Sequence, residues 1–305
     1  MRVAGAPISW GVSELPGWGH RMPPARVLRE MRELGLDATE AGPPGYLPGE
    51  PGALRELLDS VSLRLVAGFL AVVLHDSHLR ALALAEVERT AATLAASGAD
   101  ELILAAALPG ASYDRSGRLP KEGWVALAAS LAAAEELTAA HGIGLAFHPH
   151  FGTAVASEEE VTMLLETTNV ALCLDTGHLF LGGADSAQVA RDAGPRVRHV
   201  HMKDVDAELA ARVSSGELAY AAAVRSGLYR PLGQGDVDLE AVFGRLQGSG
   251  YQGWYVLEQD MALTAEPEPA SGPVAAARQS LEFFRALSAK QTTNASRKCG
   301  GEGEI

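Results

Sequence analysis

Short apolar runs alternate with longer amphipathic segments along most of the chain. The apolar runs contain few polar positions, as strands that are buried on both faces do. They fall at eight places: Arg2–Ser9, Leu36–Glu40, Leu63–Leu70, Glu101–Ala106, Gly144–His148, Val170–Asp175, Val197–His201 and Trp254–Glu258. Eight candidate strands of this kind predict a parallel sheet.

Segments with helical spacing of apolar residues separate these runs. Val87, Ala91 and Leu94 are spaced in this way, and Ser157 and Glu160 have the spacing of a capping box at the start of another helix. Eight strand–helix units predict an α/β protein of the (β/α)₈ TIM-barrel type. The alternative is an open doubly wound sheet, which is disfavoured because no glycine-rich phosphate-binding motif follows an early strand.

The alternation covers residues 1–288, which we predict to form a single TIM-barrel domain. The stretch Asp206–Tyr229 is longer than an ordinary βα loop, so we expect an insertion over the barrel mouth. Residues 289–305 are polar, lack an apolar period and end in a glycine-rich sequence. We therefore expect a disordered C-terminal tail there.

The composition of the 305-residue chain disfavours several classes of protein. Lys plus Arg number 25 and Asp plus Glu number 38, so the net charge of −13 argues against nucleic-acid or anionic-membrane partners. No run approaches the roughly 18 apolar residues of a membrane helix. The cysteines are Cys173 and Cys299, and Pro7 and Glu14 interrupt the apolar N-terminal stretch. Neither a disulfide framework nor a signal peptide is expected, which favours a cytoplasmic location.

Polar side chains with metal-binding or acid–base chemistry follow nearly every predicted strand. In a TIM barrel, the active site lies at the carboxyl ends of the strands. One ligand from each of the last four strands makes the simplest metal site: His148, Asp175, His201 and Glu258. Two imidazoles and two carboxylates suit Mn²⁺, Co²⁺, Fe²⁺ or Zn²⁺ better than Mg²⁺ or Ca²⁺, which prefer oxygen ligands.

Structural roles are the alternative for each of these residues. Asp175 has the position of a helix cap at its strand end, and Glu258 that of a buried partner for Lys203. We assign His199 a structural, hydrogen-bonded role, taking it to point away from His201 on the same strand. A sugar-binding or scaffolding barrel without metal would result if the four proposed ligands pointed apart.

Five motifs lie at or near the predicted strand ends. They are Pro-Ile-Ser-Trp-Gly at 7–11, His-Pro-His-Phe-Gly-Thr at 148–153, Asp-Thr-Gly-His at 175–178, His-Met-Lys-Asp at 201–204 and Gly-Gln-Gly-Asp-Val-Asp at 233–238. The chain thereby resembles the inosose (2-keto-myo-inositol) dehydratases of the xylose-isomerase-like barrel superfamily, over about residues 3–285. The first two motifs are the more specific to the dehydratases, and the others occur across the superfamily.

The resemblance implies a carbon–oxygen lyase that removes water from inosose or a related keto-polyol through an enediolate, in inositol catabolism. It implies that Asp175, His201 and Glu258 bind a metal, with Mn²⁺ or Co²⁺ the first candidates, and it implies a homo-oligomer. The fifth-strand ligand is commonly a glutamate in the related epimerases, whereas His148 stands here. That difference disfavours an isomerase or epimerase that uses the same metal site, which is the principal alternative. A barrel endonuclease is disfavoured by the net charge of −13.

The resemblance also implies that His150, His178 and Lys203 face the substrate. Glu258 is our first candidate for the base that removes the α-proton, and His150 is the second. His178 or Lys203 would provide the acid for the departing hydroxyl, and Lys203 would alternatively stabilise the charge of the enediolate.

The remaining candidates for substrate binding are aromatic or acidic. Trp10 and Trp18 would form an apolar wall against the sugar ring, although Trp10 would alternatively plug the barrel. Glu40, at the second strand end, would accept hydrogen bonds from ring hydroxyls.

Overall fold

The structure, a computed structural model, describes residues 1–110, 113–114 and 117–300, with side chains as far as residue 290. In this part of the chain, eight parallel strands form a closed barrel: β1 Arg2–Gly5, β2 Ala38–Glu40, β3 Arg64–Val72, β4 Glu101–Ala106, β5 Gly144–Phe147, β6 Leu172–Asp175, β7 Val197–Met202 and β10 Trp254–Leu257. Their order around the barrel is β1, β10, β7, β6, β5, β4, β3, β2. A separate antiparallel pair consists of β8 Asp204–Val205 and β9 Tyr229–Arg230. The predicted (β/α)₈ TIM barrel is confirmed.

Helices connect the strands of the barrel. They are α1 Pro24–Glu33, α2 Pro51–Ser60, α3 Arg80–Ala96, α4 Lys121–Ala140, α5 Glu158–Thr167, α6 Thr176–Leu181, α7 Ser186–Ala193, α8 Ala207–Ser214, α9 Tyr220–Arg225, α10 Leu239–Gly248 and α11 Pro273–Gly300. The predicted capping box is present before α5, where Ser157 and Glu160 each accept a hydrogen bond from the other's amide. Among the described residues, none of these helices combines the length and apolarity needed to cross a membrane.

The barrel strands present different side chains to their two faces. Ile103 and Cys173 belong to a small inner cluster, whereas Leu102 and Leu174 belong to the main core that the helices cover. Successive residues of a strand point to opposite faces, so the inner residues recur at every second position. A strand residue two positions after an inner residue therefore also points into the barrel. The last such residue of each strand lies at the carboxyl end of the barrel.

The stretch Asp206–Tyr229 forms the predicted insertion, between β8 and β9. It contains α8 and α9 and has a core of its own, which includes Tyr220, Val224 and Tyr229. Trp18, from the loop after β1, packs into the same core. Because Tyr220 also lines the cavity at the carboxyl end of the barrel, the insertion covers part of the mouth.

The last helix extends into the segment for which a disordered tail was predicted. α11 is anchored by Leu281, Phe284 and Leu287, which are buried in the main core, and its backbone is helical to Gly300. Elongating an anchored helix costs little compared with nucleating one, which accounts for helix beyond residue 289. Residues 301–305 lie outside the described residues, so disorder there stays a prediction.

Candidate active site

Five functional side chains lie at the carboxyl ends of the barrel strands, in phase with the inner residues. They stand two positions after Ala38, Ala146, Cys173, His199 and Val256: Glu40, His148, Asp175, His201 and Glu258. All five are buried, with 6% exposure or less. The four proposed metal ligands are thus brought to one end of the barrel, together with Glu40.

The two carboxylate oxygens of Asp175 have separate contacts. Oδ1 accepts hydrogen bonds from the amides of Gly177 and His178, both at 2.9 Å, and caps the first turn of α6. Oδ2 faces the centre of the site, 3.5 Å from Nε2 of His148 and 3.4 Å from Nδ1 of His201. The cap that was the alternative to metal ligation is therefore present, but it occupies only one oxygen.

Two buried atoms at this centre, Oδ2 of Asp175 and Nδ1 of His201, make no hydrogen bond of good geometry among the described residues, although Nζ of Lys203 forms an ion pair with Oδ2 at 3.2 Å. Leaving such atoms without a full set of hydrogen bonds is costly. Oε2 of Glu258 lies 3.3 Å from the same His201 nitrogen. Each of these three residues offers one ligand atom within 4.8 Å of the others. A divalent cation fits this arrangement, because it would satisfy both carboxylates and the imidazole at once.

His148 is less closely joined to this group than the other predicted ligands. It offers a ligand atom within 4.8 Å of Asp175 and His178, and one within the same distance of Cys173 and His201. It is not a member of the three-residue group described above. Its assignment as the fourth metal ligand therefore stays a prediction.

Backbone carbonyls fix the tautomers of His148 and His150. Nδ1 of His148 lies 2.8 Å from the carbonyl oxygen of Pro149, and Nδ1 of His150 lies 2.8 Å from that of Phe151. A carbonyl only accepts hydrogen bonds, so each Nδ1 carries a proton and, in the neutral ring, each Nε2 has a free lone pair. For His150 this lone pair belongs to a side chain that lines the cavity.

Glu40 binds two imidazoles with one carboxylate oxygen. Oε1 lies 2.8 Å from Nε2 of His199 and 3.0 Å from Nε2 of His201. The expectation that His199 points away from His201 was wrong, because residues i and i+2 of a strand share a face. The structural, hydrogen-bonded role assigned to His199 is present. With Nε2 donating to Glu40, a neutral His201 ring would direct its Nδ1 lone pair to the centre of the site, an arrangement typical of metal-ligating histidines.

The ammonium of Lys203 lies among three carboxylates. Nζ is 3.2 Å from Oδ2 of Asp175, 3.0 Å from Oε2 of Glu258 and 2.9 Å from Oδ1 of Asp260. Burial alone would lower the pKa of Lys203, but these carboxylates raise it well above its usual value. The lysine is therefore charged at neutral pH, and the ion pair with Glu258 that was the alternative to metal ligation is present.

Two of the three carboxyl groups around Lys203, those of Glu258 and Asp175, differ in their pKa values. Burial raises the pKa of Glu258 to about 7, although the charges of His201 and Lys203 act in the opposite direction. Burial would also raise the pKa of Asp175, but there the charge of Lys203 prevails and the pKa is held well below its usual range. Asp175 is thus ionised in this environment, whereas the ionisation of Glu258 depends on what else occupies the site.

A cavity of about 260 Å³ opens above these groups. Its polar side includes Glu40, His148, His150, His201, Lys203 and Glu258, and its apolar wall includes Pro7, Ile8, Trp18, Phe69 and Tyr113. Such a combination of an apolar wall and convergent polar groups is typical of a small-molecule site.

Two predicted substrate contacts do not line this cavity. Trp10 is 1% exposed, packs in the main core, and donates a hydrogen bond from Nε1 to Glu30 at 2.8 Å. The structure therefore gives Trp10 a packing role. His178 lies behind His150, with ring centroids 3.7 Å apart, and its Nε2 is 3.2 Å from Nζ of Lys203. His178 thus contacts the residues that line the cavity and not the cavity itself.

Comparison with known proteins identifies the family. Residues 28–287 match the model of the xylose isomerase-like TIM barrel family. The chain belongs to this family. It is 32% identical over 268 residues to the rhizopine catabolism protein MocC of Rhizobium meliloti, covering 85% of this chain and 82% of that protein. It is 30% identical over 300 residues to the inosose dehydratase of Geobacillus kaustophilus (strain HTA426), covering 94% of both.

A solved structure shares the fold of this chain. An L-ribulose 3-epimerase superposes on the chain with a TM-score of 0.73 at 18% sequence identity, covering 100% of this chain and 99% of that one. The resemblance to the inosose dehydratases is confirmed by the sequence relatives, and with it the prediction that this xylose isomerase-like barrel is an enzyme.

Among the described residues, five with polar groups that received no functional role in the sequence analysis line the cavity of this xylose isomerase-like barrel: Ser13, Glu14, Tyr113, Tyr220 and Asp260. Asp260 stands two positions after Glu258, so strand phase was a signal that could have found it. The tyrosines had no such signal, because they come from long connections whose path over the barrel is set by tertiary packing.

Proposed function

We propose that this chain is a metal-dependent dehydratase that removes water from inosose, or from a closely related keto-polyol, in inositol catabolism. The observation that carries the proposal is the meeting of three features at one end of the barrel: the group of Asp175, His201 and Glu258 placed to hold a metal ion, the imidazole of His150, and the ammonium of Lys203. The 30% identity to an inosose dehydratase supports the choice of reaction and substrate.

Asp175, His201 and Glu258 would hold the metal, with His148 as the fourth ligand. Their nitrogen and oxygen donors suit Mn²⁺ or Co²⁺, and Zn²⁺ and Fe²⁺ are also compatible. When bound, the metal would supply Lewis-acid polarisation of the substrate carbonyl. The chain orders these ligands in advance, because Glu40 fixes the tautomer of His201 and the cap on α6 fixes the carboxylate of Asp175.

In this proposal His150 carries out the proton transfers. Glu258, our first candidate for the base, has its Oε2 3.3 Å from His201 and 3.0 Å from Lys203, whereas His150 lines the cavity and its Nδ1 proton leaves Nε2 as the proton acceptor. Burial holds the pKa of His150 well below its usual value, so the neutral ring accepts the α-proton. The protonated ring then returns that proton to the departing β-hydroxyl, which leaves as water.

Lys203 stabilises the negative charge that develops on the enediolate oxygen. Its ammonium is held in place before the reaction, and a fixed charge in a water-poor cavity costs no reorganisation when the transition state forms. Because its pKa is raised, Lys203 acts through its charge and does not donate a proton. In this proposal His178, the other candidate for the acid, packs against His150 and does not touch the substrate.

Proton NMR of 2-keto-myo-inositol in D₂O, with purified protein and Mn²⁺ or Co²⁺, tests the proposal. We expect a dehydrated dione that forms with the metal and is absent after chelator treatment. Deuterium at the α-carbon, or an isomeric keto-polyol formed without loss of water, would instead assign an isomerase or epimerase. An unchanged substrate in the metal-loaded protein would refute activity on this keto-polyol.

His150→Gln and His141→Gln are matched variants for the role of the base. His141 is exposed at the end of α4, away from the site, so its variant controls for loss of an imidazole. We expect His150→Gln to bind Mn²⁺ normally and to form no dehydrated dione, whereas His141→Gln should form it at the wild-type rate. Formation of the dione at the wild-type rate in His150→Gln would return the role of the base to Glu258.

A further inference from the structure

Asp260 is a buried carboxylate with two polar contacts on its two oxygens. Oδ1 lies 2.9 Å from Nζ of Lys203, and Oδ2 accepts a hydrogen bond from the Tyr220 hydroxyl at 2.9 Å. The residue is 6% exposed and lines the cavity. Within the part of the chain that the structure describes, it belongs to none of the groups placed to hold a metal ion.

Two tyrosines of the insertion complete the surroundings of Asp260. The hydroxyls of Tyr220, at the start of α9, and Tyr229, at the start of β9, are 3.0 Å apart, and both residues are 2% exposed. Nζ of Lys203 lies 5.3 Å from the centroid of the Tyr229 ring, a cation–π distance. The insertion therefore contacts Lys203 directly through Tyr229. Through Tyr220 it contacts Asp260, which in turn contacts Lys203.

Asp260 differs from the other two carboxylate partners of Lys203. Asp175 and Glu258 present to Lys203 the same oxygens that also face Nδ1 of His201. A cation held by these residues would bind those two oxygens and would repel the ammonium of Lys203. The contact with Oδ1 of Asp260 would remain, because Asp260 lies outside that group.

We infer that Asp260, oriented by Tyr220, is a positioning residue that keeps the Lys203 ammonium at the cavity while the metal site is filled. The inference rests on the role of Lys203 in the proposed function. It makes the insertion part of the active site, since the insertion supplies the hydroxyl that orients the carboxylate.

A double-mutant cycle in Mn²⁺-loaded protein tests the inference, with a keto-polyol that the wild type converts. Asp260→Asn removes the charge and keeps an oxygen for Tyr220, so we expect kcat to fall about 10–100-fold with little change in KM. In Lys203→Met protein the same change should alter kcat by less than about threefold, because the group that it positions is absent. An equal loss in both backgrounds, or a loss confined to KM, would overturn the inference.

Tyr220→Phe is the second variant, and it decides the matter if Asp260→Asn does not fold. It removes one hydrogen bond to Asp260, so we expect a smaller loss of kcat, about 3–10-fold, that disappears in the Lys203→Met background. Tyr251→Phe is the matched control. The Tyr251 hydroxyl is also hydrogen-bonded, to the Trp254 carbonyl at 2.7 Å near the amino end of β10, and its loss should leave kcat unchanged.

Chemical labelling of Lys203 gives a readout that does not depend on turnover. In Mn²⁺-loaded protein treated with acetic anhydride, peptide mass spectrometry measures the acetylation of Lys203, with the exposed Lys121 as the reference. Because Asp260→Asn removes the ion pair with the ammonium, acetylation of Lys203 should rise about threefold or more in this variant. Unchanged labelling would overturn the inference even if activity falls. If the wild type converts no keto-polyol, the proposed function fails, and the labelling still tests whether Asp260 positions Lys203.

Discussion

Replacing Asp175 by asparagine or by alanine should separate the tasks of its two oxygens. Asparagine keeps an oxygen to cap α6 and puts an amide group in place of Oδ2, where it can donate to Nδ1 of His201. Alanine also removes the acceptor of the Gly177 and His178 amides, which lie 2.9 Å from Oδ1 in a fully buried place. An unpaired buried donor costs about 1–3 kcal/mol, so we expect the alanine variant to be about 2–4 kcal/mol less stable than the asparagine variant.

Urea unfolding of the metal-free proteins, followed by circular dichroism in the presence of a chelator, measures this difference. Co²⁺ binding, followed by visible absorbance, is measured on separate samples. Both variants should bind Co²⁺ about 100-fold or more weakly than the wild type, a larger loss than changes outside the ligand sphere usually give. Equal stability of the two variants would refute the capping role of Oδ1. Wild-type Co²⁺ affinity in Asp175→Asn would show that Oδ2 is not a ligand.

Three further predictions concern residues around the metal site and the cavity. Glu40→Ala should weaken Co²⁺ binding about 10–100-fold by releasing His201, and unchanged binding in a Co²⁺ titration would contradict this role. Trp10→Phe should lower stability by about 1 kcal/mol through the lost hydrogen bond and leave KM unchanged, whereas Trp18→Ala should raise KM. A raised KM in Trp10→Phe would restore its predicted place in the substrate wall. Lys203→Ala should keep its metal by elemental analysis and turn over far more slowly than the wild type, and loss of metal would make its role structural.

The strand pattern predicted the fold because the helices bury one face of each strand and the barrel interior buries the other. The same pattern placed the end of the first strand too late. Arg2–Ser9 reads as one apolar run, but β1 ends at Gly5 and a short 3₁₀ helix, Pro7–Trp10, follows. Pro7 has no N–H to donate to a neighbouring strand, so the ladder does not continue through it. This turn places Trp10 in the core and not on the cavity wall.

The candidate ligands were predictable to the residue but not to the atom. Strand alternation places Glu40, Asp175, His201 and Glu258 inside one end of the barrel, since each stands two positions after an inner residue. Which oxygen of Asp175 is free depends on the amides of α6, and which nitrogen of His201 is free depends on a carboxylate 161 residues away in sequence. Contacts of that kind are set by tertiary packing and leave no periodic trace in the sequence.

The sequence predicts the floor of the cavity, formed by the residues at the strand ends, better than it predicts the rest of the lining. The floor follows from strand phase, which a dehydratase and an epimerase of the same barrel would share, so it does not distinguish the two reactions. Within the floor, the residue type at His148 bears on the choice, because the resemblance implies a glutamate at that position in the related epimerases. A paired-carboxylate exchange of protons would need two free acids, whereas here Glu258 forms an ion pair with Lys203, and in the proposed mechanism the base is the imidazole of His150. A single base that both takes and returns a proton suits elimination, because the proton removed from carbon is the one that the departing hydroxyl requires.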